Sequence, residues 1–276
     1  MRKNIRYSRG QVILIILLVT VVGLTIGLSL VSRTIQDVKT SSQIAESQKA
    51  FSAAEAGIEA ALKGAEFGGG SLDLTTGKAN YNVTEWGGSS APFSIPNVTE
   101  QDGYSVWLVD HDSNGEIPSS PDSSFTNSST FDVCFGPETN PIPAVELTLL
   151  YRTGSTMKIG KEAYDPNDSR RGDNNFLPAD DSGGYCGNTQ QKYKAQISLG
   201  NFGVIGGDDP ILIKVKPVYV DTLDVVFDPT SGPDLPPQGK VISSTGTTTA
   251  GVARKINVLQ GYSSLPSIFD YTLFTN

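Results

Sequence analysis

From Gly10 to Ser32 the chain carries no charged side chain. A helix over that stretch is roughly 35 Å long, enough to cross a hydrocarbon core of about 30 Å. A conventional secretion signal has an apolar core of only about 7 to 15 residues before a small-x-small cleavage site. The run is too long for that class, although Gly27-Leu28-Ser29 has the small residues such a site needs. Arg2, Lys3, Arg6 and Arg9 precede it and are the only charges in the first ten residues. A basic flank of this kind predicts a cytoplasmic N-terminus and an exported C-terminal body, so a single-pass protein of the cytoplasmic (inner) membrane. Gly23 and Gly27 form a G-x-x-x-G, a spacing that lets membrane helices approach closely. Glycine is common in membrane helices anyway, and its low helix propensity is equally compatible with a local weak point in the helix.

The helical pattern does not stop at the membrane. Val31, Ile35, Val38, Ile44, Ala45, Phe51, Ala54, Ile58 and Leu62 recur at helical spacing, with Asp37, Lys39, Glu46, Lys49, Glu55 and Glu59 between them. "FSAAEAGIEAAL" at 51–62 is rich in the best helix former. "GAEFGGGS" at 64–71 is the first clear stop. The expected division is a basic leader over 1–10, one helix over 11–63 with its membrane span at 11–32, a glycine-rich linker over 64–71 and a β-rich exported domain over 72–276. The fold class is α+β: a long N-terminal transmembrane or assembly helix followed by a β-rich extracytoplasmic domain.

The leader ending in Arg9-Gly10, the uncharged helix directly after it and "FSAAEAGIEAAL", in that order, resemble the N-terminus of type IV pilin-like proteins. The PilX-type minor pilins are the nearest variety, and the minor pseudopilin K of type II secretion is similar. The resemblance implies cleavage by a prepilin peptidase between Gly10 and Gln11, with methylation of the new amine. It also implies a retained helix that anchors the subunit and then packs with other pilin subunits and the pilus assembly machinery, at the cell surface once assembled. Two positions depart from the pattern. Gln11 stands where most major pilins begin with Phe, and Ile15 stands where most carry Glu as the fifth mature residue. A carboxylate in an apolar bundle is costly unless paired, and Ile15 removes both the cost and the pairing. Pseudopilin K lacks this Glu too, so the resemblance points to a minor, initiating or tip-located subunit. The competing reading is a single-span surface protein that displays an adhesive or carbohydrate-binding domain.

Past residue 71, short β-prone runs alternate with Gly, Pro, Ser, Asn and Asp clusters. The expected strands are 104–109, 131–135, 144–152, 192–199, 211–220, 224–227, 240–244 and 251–259, the last two forming a hairpin around a Gly/Thr loop. A smaller insert is expected at about 155–190. The hairpin followed by "PSIFDYTLF" also resembles PilX-type proteins, less specifically. Cys134 and Cys186 both lie in the exported part, where an oxidising compartment allows a bridge; free buried thiols are the alternative.

Removing the four leader cations from the net charge of −8 leaves a body of about −12. Phosphate contacts need clustered Lys and Arg, so nucleic acid is not an expected partner. One histidine and two cysteines leave little for a catalytic triad or a zinc site, and no enzymatic activity is expected. "DHDSNGEI" at 110–117 copies the first half of a calcium loop, with Asp110, Asp112 and Asn114 at alternating positions and Gly115 at the bend. Its twelfth position is Pro121 rather than Glu, with Asp122 beside it, and the alternative is an Asx-rich turn with a solvated His111. Calcium is the one cofactor the sequence raises. "DPNDSRRGDNN" at 165–175 has the acids but no glycine at the bend, and its Arg171-Gly172-Asp173 tripeptide arises easily by chance.

Overall fold

The structure is a computed structural model and describes residues 9–64, 67–89, 92–112, 114–118, 124–183, 185–186 and 191–264. In chain order the elements are α1 (Arg9–Gly64), β1 (Gly68–Leu74), β2 (Gly77–Gly87), β3 (Phe93–Thr99), β4 (Tyr104–Trp107), β5 (Thr130–Gly136), β6 (Ala144–Thr153) and β7 (Thr156–Asp165). There follow α2 (Asp168–Asn174), β8 (Leu177–Pro178), β9 (Tyr193–Ser198), a 3-10 turn (Leu199–Phe202), β10 (Asp209–Val218), β11 (Thr222–Ser231), β12 (Pro237–Thr248) and β13 (Ala253–Gly261). A long apolar helix followed by a β-rich body is therefore the architecture, as the sequence predicts. The glycine-rich stretch is more ordered than expected: β1 begins at Gly68, inside the predicted linker. The strands form three sheets, of order β1-β2-β12-β13, β4-β10-β6-β7-β8 and β3-β11-β5-β9.

The chain divides into two units. The first comprises Met1–Ala60, Gly70–Tyr81 and Ser244–Ile256. Here α1 changes character along its length. Every residue from Ile13 to Ala45 is exposed, whereas Ala50, Ala53, Ala54 and Ile58 are buried. Those four positions follow the i, i+3, i+4 rule and lie on one face. The face is built of small residues because the sheet backbone lies directly against it. A Cβ on Gly246 of β12 would strike the Ala50 carbonyl oxygen and the Ala54 amide nitrogen, and one on Gly57 would strike the Ser244 hydroxyl and sit 3.1 Å from Ala79 Cβ. Polar clasps flank this seam. Arg254 Nε donates to Ser47 Oγ at 2.8 Å, and Glu46 takes hydrogen bonds from Lys49 and Thr248, which hold its carboxyl below the usual range. The β12–β13 hairpin closes with Gly251 at φ 83°, a left-handed position glycine adopts freely.

The second unit comprises Ala61–Gly69, Asn82–Ser243 and Asn257–Asn276, and its core is a β-sandwich. Period-2 alternation aims Val145, Leu147, Leu149 and Tyr151 of β6 and Ile213 and Val215 of β10 inward from one sheet. Phe131, Val133 and Phe135 of β5, Ala195 and Ile197 of β9, and Val225 and Phe227 of β11 fill the same core from the other. The antiparallel registers agree with this: Leu149 faces Ile213, and Val133 faces both Ala195 and Phe227. β7 pairs with β6 along its length, so residues 156–164 of the expected insert belong to the sandwich sheet. Gln238, which is 1% exposed, serves as a substitute strand partner for β4. Its Oε1 accepts from Trp107 N at 2.7 Å and its Nε2 donates to Trp107 O at 3.0 Å, satisfying backbone groups at a buried edge. Cys134 of β5 and Cys186 are joined by a disulfide, their Cα atoms 6.2 Å apart. No free cysteine is found among the described residues.

Candidate functional site

The residues expected to carry function fall in three places. Gly10 and Gln11 are within α1, so the predicted scissile bond lies in the first turns of the continuous helix. Ile15 is 62% exposed, in a run where Ile13, Leu14, Leu17, Leu18 and Leu24 are each 60% exposed or more. Gly23 and Gly27 have open space around them: a Cβ on either would meet nothing within 4 Å. One turn apart, they share a helix face. The only hydroxyls in the apolar run before Ser29 are Thr20 and Thr25, and both fold back onto the helix, donating to the carbonyls of Leu17 and Val22 at 2.9 and 2.8 Å. Polar groups satisfied within the helix are compatible with a hydrocarbon environment. An 18-residue window in this helix reaches a mean hydropathy of 2.8, and none of it is buried by protein. A contiguous exposed apolar surface of this size marks a protein–protein or membrane interaction. Among the described residues, one helix is long and apolar enough to cross a membrane.

The Asp110–Asn114 loop is an Asx turn. Asp112 Oδ1 accepts from the amides of Asn114 and Glu116, each at 2.9 Å, and Gly115 at φ 81° makes the bend. These bonds, the Glu116 amide first, hold the Asp112 carboxyl below its usual range. Among the described residues no group of three or more His, Cys, Asp or Glu is placed to hold a metal ion. Pro121 and Asp122 of the calcium expectation lie outside the described residues, as does "PSIFDYTLF". His111 departs from the solvated turn expected of it. Its ring stacks on Tyr262 at 3.9 Å and meets Trp107 edge-on at 4.6 Å. Burial pushes its pKa down, against the pull of the Val109 backbone and of Asp110 and Asp112.

The 165–175 segment is a structural clip. Asp165 has a fully buried carboxylate that receives Arg170 Nε at 2.6 Å, Arg170 Nη2 at 2.7 Å and Asn174 Nδ2 at 2.8 Å. Burial raises its pKa, but these bonds and the Asn167 amide outweigh it and hold the carboxyl low. Arg171-Gly172-Asp173 lies inside α2, with Arg171 engaged by Asp168 and by the Asp165 carbonyl. An adhesion tripeptide needs a freely presented loop, which this is not.

One feature had no signal in the sequence. Tyr219 and Asn97 take left-handed backbone angles, φ 71° and 55°, and both line an open groove of about 490 Å³ along the ends of β3, β5, β10 and β11. The cleft at Ala61, Gly115, Lys240 and Tyr262 is only about 110 Å³, too small for a drug-sized ligand. No protein-family model, curated protein or solved structure matches this chain.

Proposed function

We propose that the chain is a minor pilin-like structural subunit of a type IV pilus or related secretion filament, initiating assembly or occupying its tip. The observation that carries this reading is the two-part helix. From Ile13 to Ser32 it is uncharged and exposed on all sides. Its second half is seated on its own sheet through Ala50, Ala53, Ala54 and Gly57. A plain anchor has no need of one rigid rod that joins a bilayer to a folded body without a linker, whereas a subunit that leaves the membrane to pack beside others does. In this reading a prepilin peptidase cleaves between Gly10 and Gln11 on the cytoplasmic face. The retained helix holds the subunit in the inner membrane until it moves into a filament. Ile15 supports a minor role, since it offers no carboxylate to pair with a neighbour's amine.

N-terminal sequencing of protein extracted from native membranes tests the proposal. A mature chain beginning at Gln11 is expected. An intact Met1 start, with the leader retained on the membrane-bound protein, overturns it.

A further inference from the structure

We propose that the groove beside Tyr219 is a saccharide-binding site that takes a neutral hexose or hexosamine unit of a glycan. The inference stands apart from the N-terminal helix and holds whether or not the chain joins a filament.

The groove is a cleft of ligand size, about 490 Å³, where most small-molecule sites measure roughly 300–1,000 Å³. Its chemistry suits sugars. One aromatic ring, Tyr219, is 38% exposed. Around it stand Asn97, Thr139, Asn140, Asp221 and Asp224, giving amides, a hydroxyl and carboxylates. A pyranose presents an apolar C–H face and a rim of hydroxyls. The first stacks on an aromatic face, and the second exchange hydrogen bonds with planar amide and carboxylate groups that donate and accept in pairs. Two aspartates line the groove, and the charge of Arg170, the cation beside the ring, is already matched by Asp165. This favours neutral and amino sugars over acidic ones.

The ring is held in place before any ligand arrives. Arg170 lies over one face of Tyr219, its guanidinium carbon 3.8 Å from the ring centre. Arg170 is fixed in turn by the buried Asp165 carboxylate and by the Ile142 carbonyl at 2.8 Å. Asn174 Nδ2 meets the Tyr219 hydroxyl at 3.1 Å. Elsewhere in the lining the Asn97 backbone N–H donates to Asp224 Oδ1 at 2.8 Å, which orients that carboxylate. A rigid ring backed by a second layer of hydrogen bonds is what a preorganised site requires.

The backbone adds an independent sign. A tyrosine at φ 71° is strained, since the left-handed region disfavours bulky side chains. Such strain persists at ligand clamps because the surroundings over-determine it. Glycine or asparagine at 219 would relieve it, and the chain keeps a large ring there instead.

The test uses the full-length chain in lipid nanodiscs, because alkyl maltoside detergents present the very sugars in question. Saturation-transfer NMR is recorded with maltotriose, cellotriose and triacetylchitotriose, and with hexaproline as a peptide probe. Transfer to at least one saccharide is expected, weakened about tenfold or more in Tyr219→Asn. Asparagine tolerates the left-handed angle but loses the Arg170 and Asn174 contacts of the ring, so a thermal melt is recorded alongside to show that the variant is folded. Asp221→Asn, an exposed position, gives a second reading of the same site with the fold untouched. The proposal is overturned if no saccharide shows transfer, if both variants bind as the wild type does, or if hexaproline alone occupies the groove.

Discussion

Gly246→Ala sets local propensity against packing, and the two predict opposite signs. Within a strand, alanine is favoured over glycine by about 0.5–1 kcal/mol, because less backbone freedom is lost on folding. At this position the new methyl would overlap the Ala50 carbonyl oxygen and the Ala54 amide nitrogen, with Ala53 Cβ 2.9 Å away. None of these atoms belongs to a side chain that can rotate aside. Either the seam stays closed under strain, at about 1–3 kcal/mol for overpacking, or α1 lifts and uncovers the three alanine methyls. At about 0.8 kcal/mol per buried carbon, lifting costs about 2 kcal/mol. Both routes exceed the propensity gain, so a net loss of about 1–2 kcal/mol is expected. Hydrogen exchange on the full-length chain in nanodiscs reads it locally, as faster exchange at 50–58 and 244–248. Gly172→Ala is the control: its Cβ would meet nothing within 4 Å, and it should gain up to about 1 kcal/mol. If Gly246→Ala matches or exceeds wild-type protection across the seam, the close approach of helix and sheet is not what these residues encode.

Two further outcomes follow from the sandwich. Asp228 faces Asp132 directly across β11 and β5, and burial, then the Asp132 charge, holds its carboxyl above the usual range. A folded pKa above the unfolded one means that ionisation costs stability, in full at neutral pH, with relief as the pH falls through the folded value. Asp228→Asn should therefore stabilise the sandwich at pH 7 by about 0.2–1 kcal/mol, the scale of a cross-strand like-charge pair, and the gain should vanish below about pH 4. Thermal melts of both proteins at pH 7 and pH 3.5 check this, and an equal gain at both would show that ionisation is not the cause. Reducing the Cys134–Cys186 bridge, whose ends are 52 residues apart, should cost roughly 4 kcal/mol and lower the sandwich melting temperature by about 8–16 °C. A melt with and without reductant measures it.

What the sequence made legible is what periodicity and composition control. The apolar helix is visible because no charge interrupts it. β6 and β9 are visible because buried side chains alternate along them, and β5 and β10 because apolar β-formers are dense in them. β1 was hidden by Gly68-Gly69-Gly70, which read as a linker although β2 supplies its pairing. β7 was hidden because Lys158, Lys161 and Glu162 interrupt its apolar pattern, yet β6 pairs with it along its length. The groove at Tyr219 was illegible for a different reason. Its marks are a positive φ and an arginine 49 positions away in the chain, and neither leaves a trace in local composition. The Arg170 cluster that read as a poor calcium loop is the piece that holds that ring.

The seam at Gly246 also sets a rotational phase. A continuous helix advances about 100° per residue, so fixing the azimuth of Ala50 and Ala54 against the sheet clocks every position before them. Counting back from that face, Gly23 and Gly27 come out on roughly the opposite side of the rod. A second helix approaching along the two glycines would therefore meet this one back to back with its own sheet, and a single glycine in a distant strand would decide which way the apolar segment turns its thinnest side.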